Sequence, residues 1–266
     1  MGEVSLTRTG VMRVPRLHTE TIRGVFFDFG GVLESLSPDR ATFVKGIAAV
    51  RRVLQRRGVD LKQEELERLL NRGMAAYAGW FRKNDFRELP PDKVWIDYYL
   101  QGLRREQYEA LGEVFEELGS VLEFHLFKRR PARDLVAVLS TLYRNRFLLG
   151  VVSNTISLTL IPERLRKYGV SRYFSVVMLS VAAGVRKPHP VIFQEACTRA
   201  GLEPGRAMFI GDTGSRDVEG ARRAGFRRVV LLRSELTDLK DRDYRGDARP
   251  DQVIDSLDQV VDLLRE

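Results

Sequence analysis

The stretch Ile22-Arg23-Gly24-Val25-Phe26-Phe27-Asp28-Phe29-Gly30-Gly31-Val32-Leu33 decides the fold. An apolar run from Ile22 to Phe27 stops at a single aspartate, and Gly30-Gly31 follows at once. That is the punctuation of a strand leaving a sheet into a tight loop. Similar runs recur at Phe147 to Val152, ending at Ser153-Asn154, at Ser175 to Leu179, at Ala207 to Ile210, ending at Gly211-Asp212, and at Val229 to Leu232. Helical periodicity separates them, in Leu135, Val138, Leu139 and Leu142, in Ile161 to Tyr168, Val191 to Ala200, Val218 to Ala224 and Ser256 to Leu264. Strands alternating with helices predict an α/β protein, a Rossmann-like parallel sheet of about five strands covered on both faces.

The first two strands are far apart in sequence, and the interval reads as all-helical. Ser37 is a good N-cap, Pro38 suits the first helical position, and Asp39 suits the positive end of the helix. Phe43, Ile47, Val50 and Leu54 then repeat at helical spacing up to Gly58. Leu66, Leu69, Leu70, Met74 and Tyr77 predict a second helix, Pro90-Pro91-Asp92 opens a third with Trp95, Tyr98 and Tyr99, and Tyr108, Leu111, Phe115 and Leu118 mark a fourth. The expected organisation is an arm over 1–20, a sheet domain over 21–35 and 128–266, and a helical insert over 36–127. The aromatics Trp80, Phe81, Trp95, Tyr98 and Tyr99 belong mostly to the packing of that insert, with a substrate contact from one of them as the alternative.

Composition agrees with a globular chain. At about 150 residues per domain, 266 residues make one large domain or two modest ones. An apolar fraction of 44% with 30% charged residues excludes disordered and collagen-like chains. No apolar run approaches the ~20 residues of a membrane span. The N-terminus lacks the apolar segment of a secretory signal, and Met1-Gly2-Glu3-Val4-Ser5-Leu6 puts Leu where myristoylation requires Ser or Thr. The single cysteine, Cys197, excludes an internal disulfide and falls on an apolar face with Phe193 and Ala196. A cytoplasmic protein is expected. The 44 basic and 36 acidic residues leave a net charge of +8, which favours anionic partners in general. Most arginines are interleaved with acids, and Arg51, Arg52, Arg56 and Arg57 read as a solvated helix face, so nucleic acid is not an expected partner.

Three of the predicted strands end in polar residues: Asp28, Ser153-Asn154 and Asp212. In a parallel sheet those ends share one edge, where ligands bind. Asp217 follows Asp212 by one helical entry turn. Carboxylates converging there repel one another unless a cation neutralises them, and aspartates with backbone carbonyls make a hard-oxygen site of the Mg²⁺ type. Taken singly, each residue reads as a loop or cap; their order and placement together point to a site.

With these residues in place, the chain resembles the haloacid dehalogenase superfamily of hydrolases, in the branch with a helical cap inserted after the first motif. Val25 to Leu33 matches motif one, Val151-Val152-Ser153-Asn154 motif two, Arg186-Lys187-Pro188-His189-Pro190 motif three, and Phe209-Ile210-Gly211-Asp212-Thr213-Gly214-Ser215-Arg216-Asp217 motif four. The resemblance covers residues 21–266 and implies Mg²⁺-dependent hydrolysis of a small phosphorylated metabolite. Asp28 would be the nucleophile, forming an aspartyl-phosphate, with Lys187 as the second catalytic residue. Phe29, Gly30, Ser153, Asn154 and Lys187 would bind the phosphoryl group. Asp28, Gly30, Asp212 and Asp217 would make up the metal site, Asp217 orienting its water shell or Lys187.

The chain departs from the family at Gly30, where most of its phosphatases carry the aspartate that serves as general acid and base. A backbone carbonyl still suits the metal, but the proton donor is missing, a group worth roughly 10²- to 10⁴-fold in rate. The expectation is a preference for leaving groups that need little protonation, unless Glu34 or His189 substitutes. Two alternatives follow. One is phosphonate hydrolysis with Lys45 or Lys62 of the cap as a Schiff-base lysine; the other is a non-catalytic scaffold that binds a phosphorylated ligand or a partner. Asp212 and Asp217 speak against metal-free dehalogenation.

Overall fold

The computed structural model describes residues 22–242 and 244–265; the arm expected over residues 1–20 lies outside them. The strands are β1 Gly24–Phe27, β2 Glu34–Ser37, β3 Lys128–Pro131, β4 Leu148–Ser153, β5 Phe174–Leu179, β6 Ala207–Gly211, β7 Arg228–Leu232 and β8 Gln252–Ile254. The α-helices are α1 Arg40–Gln55, α2 Gln63–Lys83, α3 Pro91–Val94, α4 Arg105–Leu111, α5 Phe115–His125, α6 Leu135–Arg144, α7 Leu160–Lys167, α8 Ser180–Ala183, α9 Pro190–Arg199, α10 Glu219–Ala224, α11 Thr237–Asp241 and α12 Gln259–Leu263.

Six strands form one parallel sheet in the order β5-β4-β1-β6-β7-β8, one more than the five expected. The added edge strand β8 has only three residues and no apolar run to announce it. β1 is central: Phe27 pairs with Val151 of β4 on one side and Ile210 of β6 on the other. Its residues alternate as a doubly covered strand requires. Val25 and Phe27 join Val138, Leu142, Leu165 and Val260 in one core layer, while Phe26 joins Phe193, Cys197, Phe209 and Ala221 in the other. Each large side chain so buried contributes roughly 1.5–3 kcal/mol.

Helices α1 to α5 enclose a separate apolar core containing Ile47, Val50, Leu54, Leu66, Leu70, Trp95 and Leu118. Tyr77 is its aromatic hub, touching Trp80, Phe81, Tyr98 and Tyr99. Ile156, from the loop after β4, also belongs to this core and joins it to the sheet. On the surface of α1, Arg51 bonds the Leu61 carbonyl at 2.5 Å and pairs with Asp60, and Arg56 pairs with Glu117.

The expected start of the first helix is corrected. Ser37 ends β2, paired across an antiparallel two-stranded ribbon with Lys128 of β3. The helix begins at Arg40, and its cap is Asp39, whose Oδ2 accepts the Thr42 amide at 2.8 Å. The long-range partner wins over the local capping preference because β2 and β3 are where the chain leaves and re-enters the sheet.

Cys197 is fully buried, and burial with the nearby Glu203 charge pushes its thiol up to about 12. It should therefore resist thiol-directed reagents in the folded protein and react stoichiometrically on denaturation, as counted by mass spectrometry. Rapid labelling of the native chain would contradict this packing.

Candidate active site

Parallel pairing brings the ends of β1, β4 and β6 to one edge, and the polar residues that follow them meet there. Asp28 immediately follows β1, and its amide donates to the Ile210 carbonyl at 2.9 Å. Asp28 Oδ1 accepts the Phe29 amide at 2.6 Å and lies 2.8 Å from Lys187 Nζ. Both of its donors among the described residues thus meet one carboxylate oxygen and leave Oδ2 without one. Lys187 is buried and bridges a second carboxylate, Asp217 Oδ1, at 2.6 Å. Burial alone would discharge the ammonium, but Asp217 and Asp28 outweigh it and hold the Lys187 pKa above its ordinary value.

Asp217 is spoken for on both oxygens. Its Oδ2 accepts the Asp212 and Thr213 amides and the Thr213 hydroxyl, at 3.2, 3.0 and 2.5 Å. Burial works to raise its pKa, yet the Lys187 charge and these bonds leave it lowered. Asp212 is the reverse: burial, reinforced by Asp217 and Asp28, raises it against the pull of Lys240 and Arg216. Asp212 Oδ2 accepts Ser234 Oγ at 2.8 Å and Lys240 Nζ at 2.9 Å, while its Oδ1 is buried with no hydrogen-bond partner. Asp28, Asp212 and Asp217 offer ligand oxygens within 4.8 Å of one another. An orphaned carboxylate oxygen among converging acids fits a hard divalent cation.

Two glycines make this approach possible. Gly31 has φ +100°, and a Cβ there would lie 2.0 Å from Asp212 Oδ2. A Cβ on Gly211 would lie 2.1 Å from Asp217 Cβ.

Several of the sequence-predicted residues meet at this edge. Ser153, Asn154, Phe29 and Gly30 line a cavity of about 310 Å³ with Asp28 and Lys187. Asn154 fastens the Lys187 backbone in both directions, Oδ1 accepting its amide at 2.8 Å and Nδ2 donating to its carbonyl at 3.1 Å. A second cavity of about 720 Å³ shares Asn154, Lys187, Arg216 and Lys240 and is completed by Phe81, Phe86 and Tyr244 among others. Of the insert aromatics named from sequence, Phe81 reaches that cavity, whereas Trp95 is buried in the helical core.

Neither suggested substitute acid is placed for the task. Glu34, the first residue of β2, is buried, paired with Arg129 at 2.5 Å and Arg164 at 2.8 Å and accepting the Tyr168 hydroxyl at 2.5 Å. His189 caps α9, and its Nε2 lies 3.4 Å from Asp85. Lys45 and Lys62 are exposed and are not among the residues lining the cavity beside Asp28.

Three contributors escaped the sequence reading. Ser234 and Lys240 follow β7, whose end shares the same edge, so the rule that found Asp28 and Asp212 could have flagged Ser234. The third is Glu123 of α5, which lines the 310 Å³ cavity. Its only sequence signal is its spacing from Glu116, two turns earlier on one helix face.

A model of the haloacid dehalogenase-like hydrolase family matches residues 22–225. A glyceraldehyde 3-phosphate phosphatase of Methanopyrus kandleri is 34% identical over 137 residues, 52% of this chain and 58% of that protein. A phosphoserine phosphatase of Thermus thermophilus is 31% identical over 188 residues, 70% of this chain and 66% of that protein. The matched stretches thus leave a third or more of each of these relatives unmatched. A 2-haloacid dehalogenase from Pseudomonas syringae superposes with a TM-score of 0.62 at 23% identity, covering 91% of this chain and 98% of that one. A HAD phosphatase from Thermococcus onnurineus gives 0.56 at 22% identity over the same shares. At such identities the two structures speak to the fold alone, and the family match speaks to descent: the chain belongs to the haloacid dehalogenase-like hydrolases.

Proposed function

We propose that the protein is a phosphatase that hydrolyses a small phosphate monoester through an aspartyl-phosphate on Asp28. The observation that carries this reading is Asp28 itself, half-neutralised on one oxygen by Lys187 and free on the other, at the floor of a cavity. The relatives' names, phosphoserine phosphatase among them, support the substrate class.

In this reading Asp28 attacks phosphorus, and Lys187 binds a phosphoryl oxygen whose charge shifts during transfer. The Ser153 hydroxyl and the backbone around Phe29 and Gly30 complete the cradle. Asn154 acts through Lys187, fixing its backbone, and Asp217 fixes its ammonium. A divalent cation, Mg²⁺ by the oxygen character of the donors, would be held by Asp28, Asp212 and the Gly30 carbonyl, with Asp217 behind them. When bound, it screens the carboxylate and the phosphate from each other. Residues 36–127 act as a cap over the strand ends, excluding water and selecting the leaving group.

The test is Mg²⁺ binding together with phosphate release. At about 100 times its Kd, Mg²⁺ should stabilise the wild type by ~2.7 kcal/mol, a rise of about 5–10 °C in Tm. Asp212→Asn should lose that rise. Phosphate release from p-nitrophenyl phosphate should stop on chelation. A melting shift retained in Asp212→Asn would remove the metal site from the proposal.

A further inference from the structure

An alkyl phosphate leaves phosphorus as an alkoxide, which needs a proton as the bond breaks. A donor must line the cavity, carry a proton near neutral pH and not be held in an ion pair. Asp28 is the attacking group. Lys187 is shared between two carboxylates and Lys240 is paired with Asp212, and arginine as a residue type is not a proton donor for catalysis at neutral pH. Residue 30 is glycine and offers no side chain to donate a proton. Among the titratable side chains lining this cavity, Glu123 remains.

The surroundings of Glu123 accept either protonation state. Its Oε1 accepts the Ile156 amide at 2.9 Å, and its Oε2 accepts the Thr155 hydroxyl. That hydroxyl also reaches the Ser157 carbonyl at 3.2 Å. When Glu123 is ionised, Thr155 donates to it; when Glu123 is protonated, Thr155 turns its hydrogen to Ser157. Both protonation states therefore keep hydrogen-bond partners among these groups.

We propose that Glu123 is the acid–base catalyst of this site, an inference that rests on the phosphatase reading. As Asp28 Oδ2 bonds to phosphorus, the ester P–O bond breaks, its electron pair stays on the leaving oxygen, and that oxygen takes the Glu123 proton. Water then attacks the phosphorus of the aspartyl-phosphate, returning the pair to Asp28 and its own proton to Glu123. Alcohol and inorganic phosphate are released.

The electrostatics suit the task. Burial raises the Glu123 carboxyl to about 7, against the hydrogen bonds from Thr155 and Ile156 and the charges of Arg129 and Arg186. Tyr99 also faces it, its own pKa raised by burial and by Glu123. Because the acid must be protonated for the first step, alkyl phosphate hydrolysis should fall as pH rises through about 7.

Glu123→Gln tests the role, because glutamine keeps both fastenings: its oxygen accepts the Ile156 amide and its amide donates to Thr155. Glu116→Gln is the control, since Glu116 on the same helix holds the Ser157 hydroxyl at 2.6 Å and the Thr159 amide at 3.0 Å. The readouts are kcat/KM and pH profiles for p-nitrophenyl phosphate, which leaves without a proton, and for ethyl and glycerol phosphates. Glu123→Gln should lose about 10²-fold or more on the alkyl esters, far less on the aryl ester, and should lose the limb near pH 7. Glu116→Gln should show no such split. Equal losses on both classes in Glu123→Gln, or a wild type that turns over the aryl ester and no alkyl ester, would overturn the proposal and leave the phosphatase reading intact. A wild type inert on every ester would overturn both.

Discussion

Replacing Asp28 with asparagine is expected to lower phosphate release about 10⁴-fold or more and to leave the fold in place. Asparagine has nearly the same shape, and its Oδ1 keeps the Phe29 amide at the distance now 2.6 Å and the Lys187 ammonium at 2.8 Å. Lys187 retains Asp217, so no buried charge is stranded. The neutral amide, however, is too weak a nucleophile to attack phosphorus and cannot carry the covalent intermediate. Rapid quenching of the wild type with substrate should trap one phosphoryl group on the peptide containing Asp28, and the variant should trap none. The comparison belongs at saturating metal, because Asp28 is also a proposed ligand. Activity within tenfold of wild type would remove Asp28 as nucleophile.

The second large effect concerns stability. Glu34 is completely buried and pairs with both Arg129 and Arg164, which are themselves largely buried. Removing one partner of a buried ionic cluster costs about 3–5 kcal/mol, because the remaining charge has neither water nor a counter-charge. Glu34→Gln should therefore lower Tm by on the order of 10 °C. The exposed pair Arg56–Glu117 supplies the contrast: Glu117→Gln should change stability by no more than ~1 kcal/mol. Calorimetry of the two variants decides it, and similar midpoints would mean that the Glu34 cluster is solvated. The loss should also reach the site. Arg129 donates to the Glu123 and Phe124 carbonyls at 2.5 and 3.0 Å, so Glu34 holds the guanidinium that anchors the end of α5.

What could be read from sequence follows from how each part is specified. The sheet strands are buried on both faces, so they appear as apolar runs, and Asp28, Ser153 and Asp212 stand where those runs stop. Such residues need no knowledge of packing to be found. The β2–β3 ribbon was hidden because Lys128-Arg129-Arg130-Pro131 has no apolar pattern, and pairing with a segment far away in sequence makes it a strand. Ser37 has the residue type of a helix cap, and the same remote pairing makes it a strand end instead. Glu123 was hidden differently: its importance lies in the angle at which α5 crosses the loop after β4, set by the apolar contacts of Leu118, Leu122 and Ile156. The pairing of Glu34 is invisible in sequence because its two arginines are remote along the chain.

The ribbon of β2 and β3 has a consequence for how such a protein changes over evolutionary time. Its last paired residues, Ser37 and Lys128, are cross-strand neighbours, so everything between them departs and returns through a single doorway. The sheet experiences that whole segment as the loop of a hairpin. Exchanging the segment for a different one, longer or shorter, asks nothing of the strand order or of the aspartates beneath it, provided that the two ends still meet. New specificities can be grafted there as modules, and whatever the segment lends to the site, Glu123 included, is exchanged along with it.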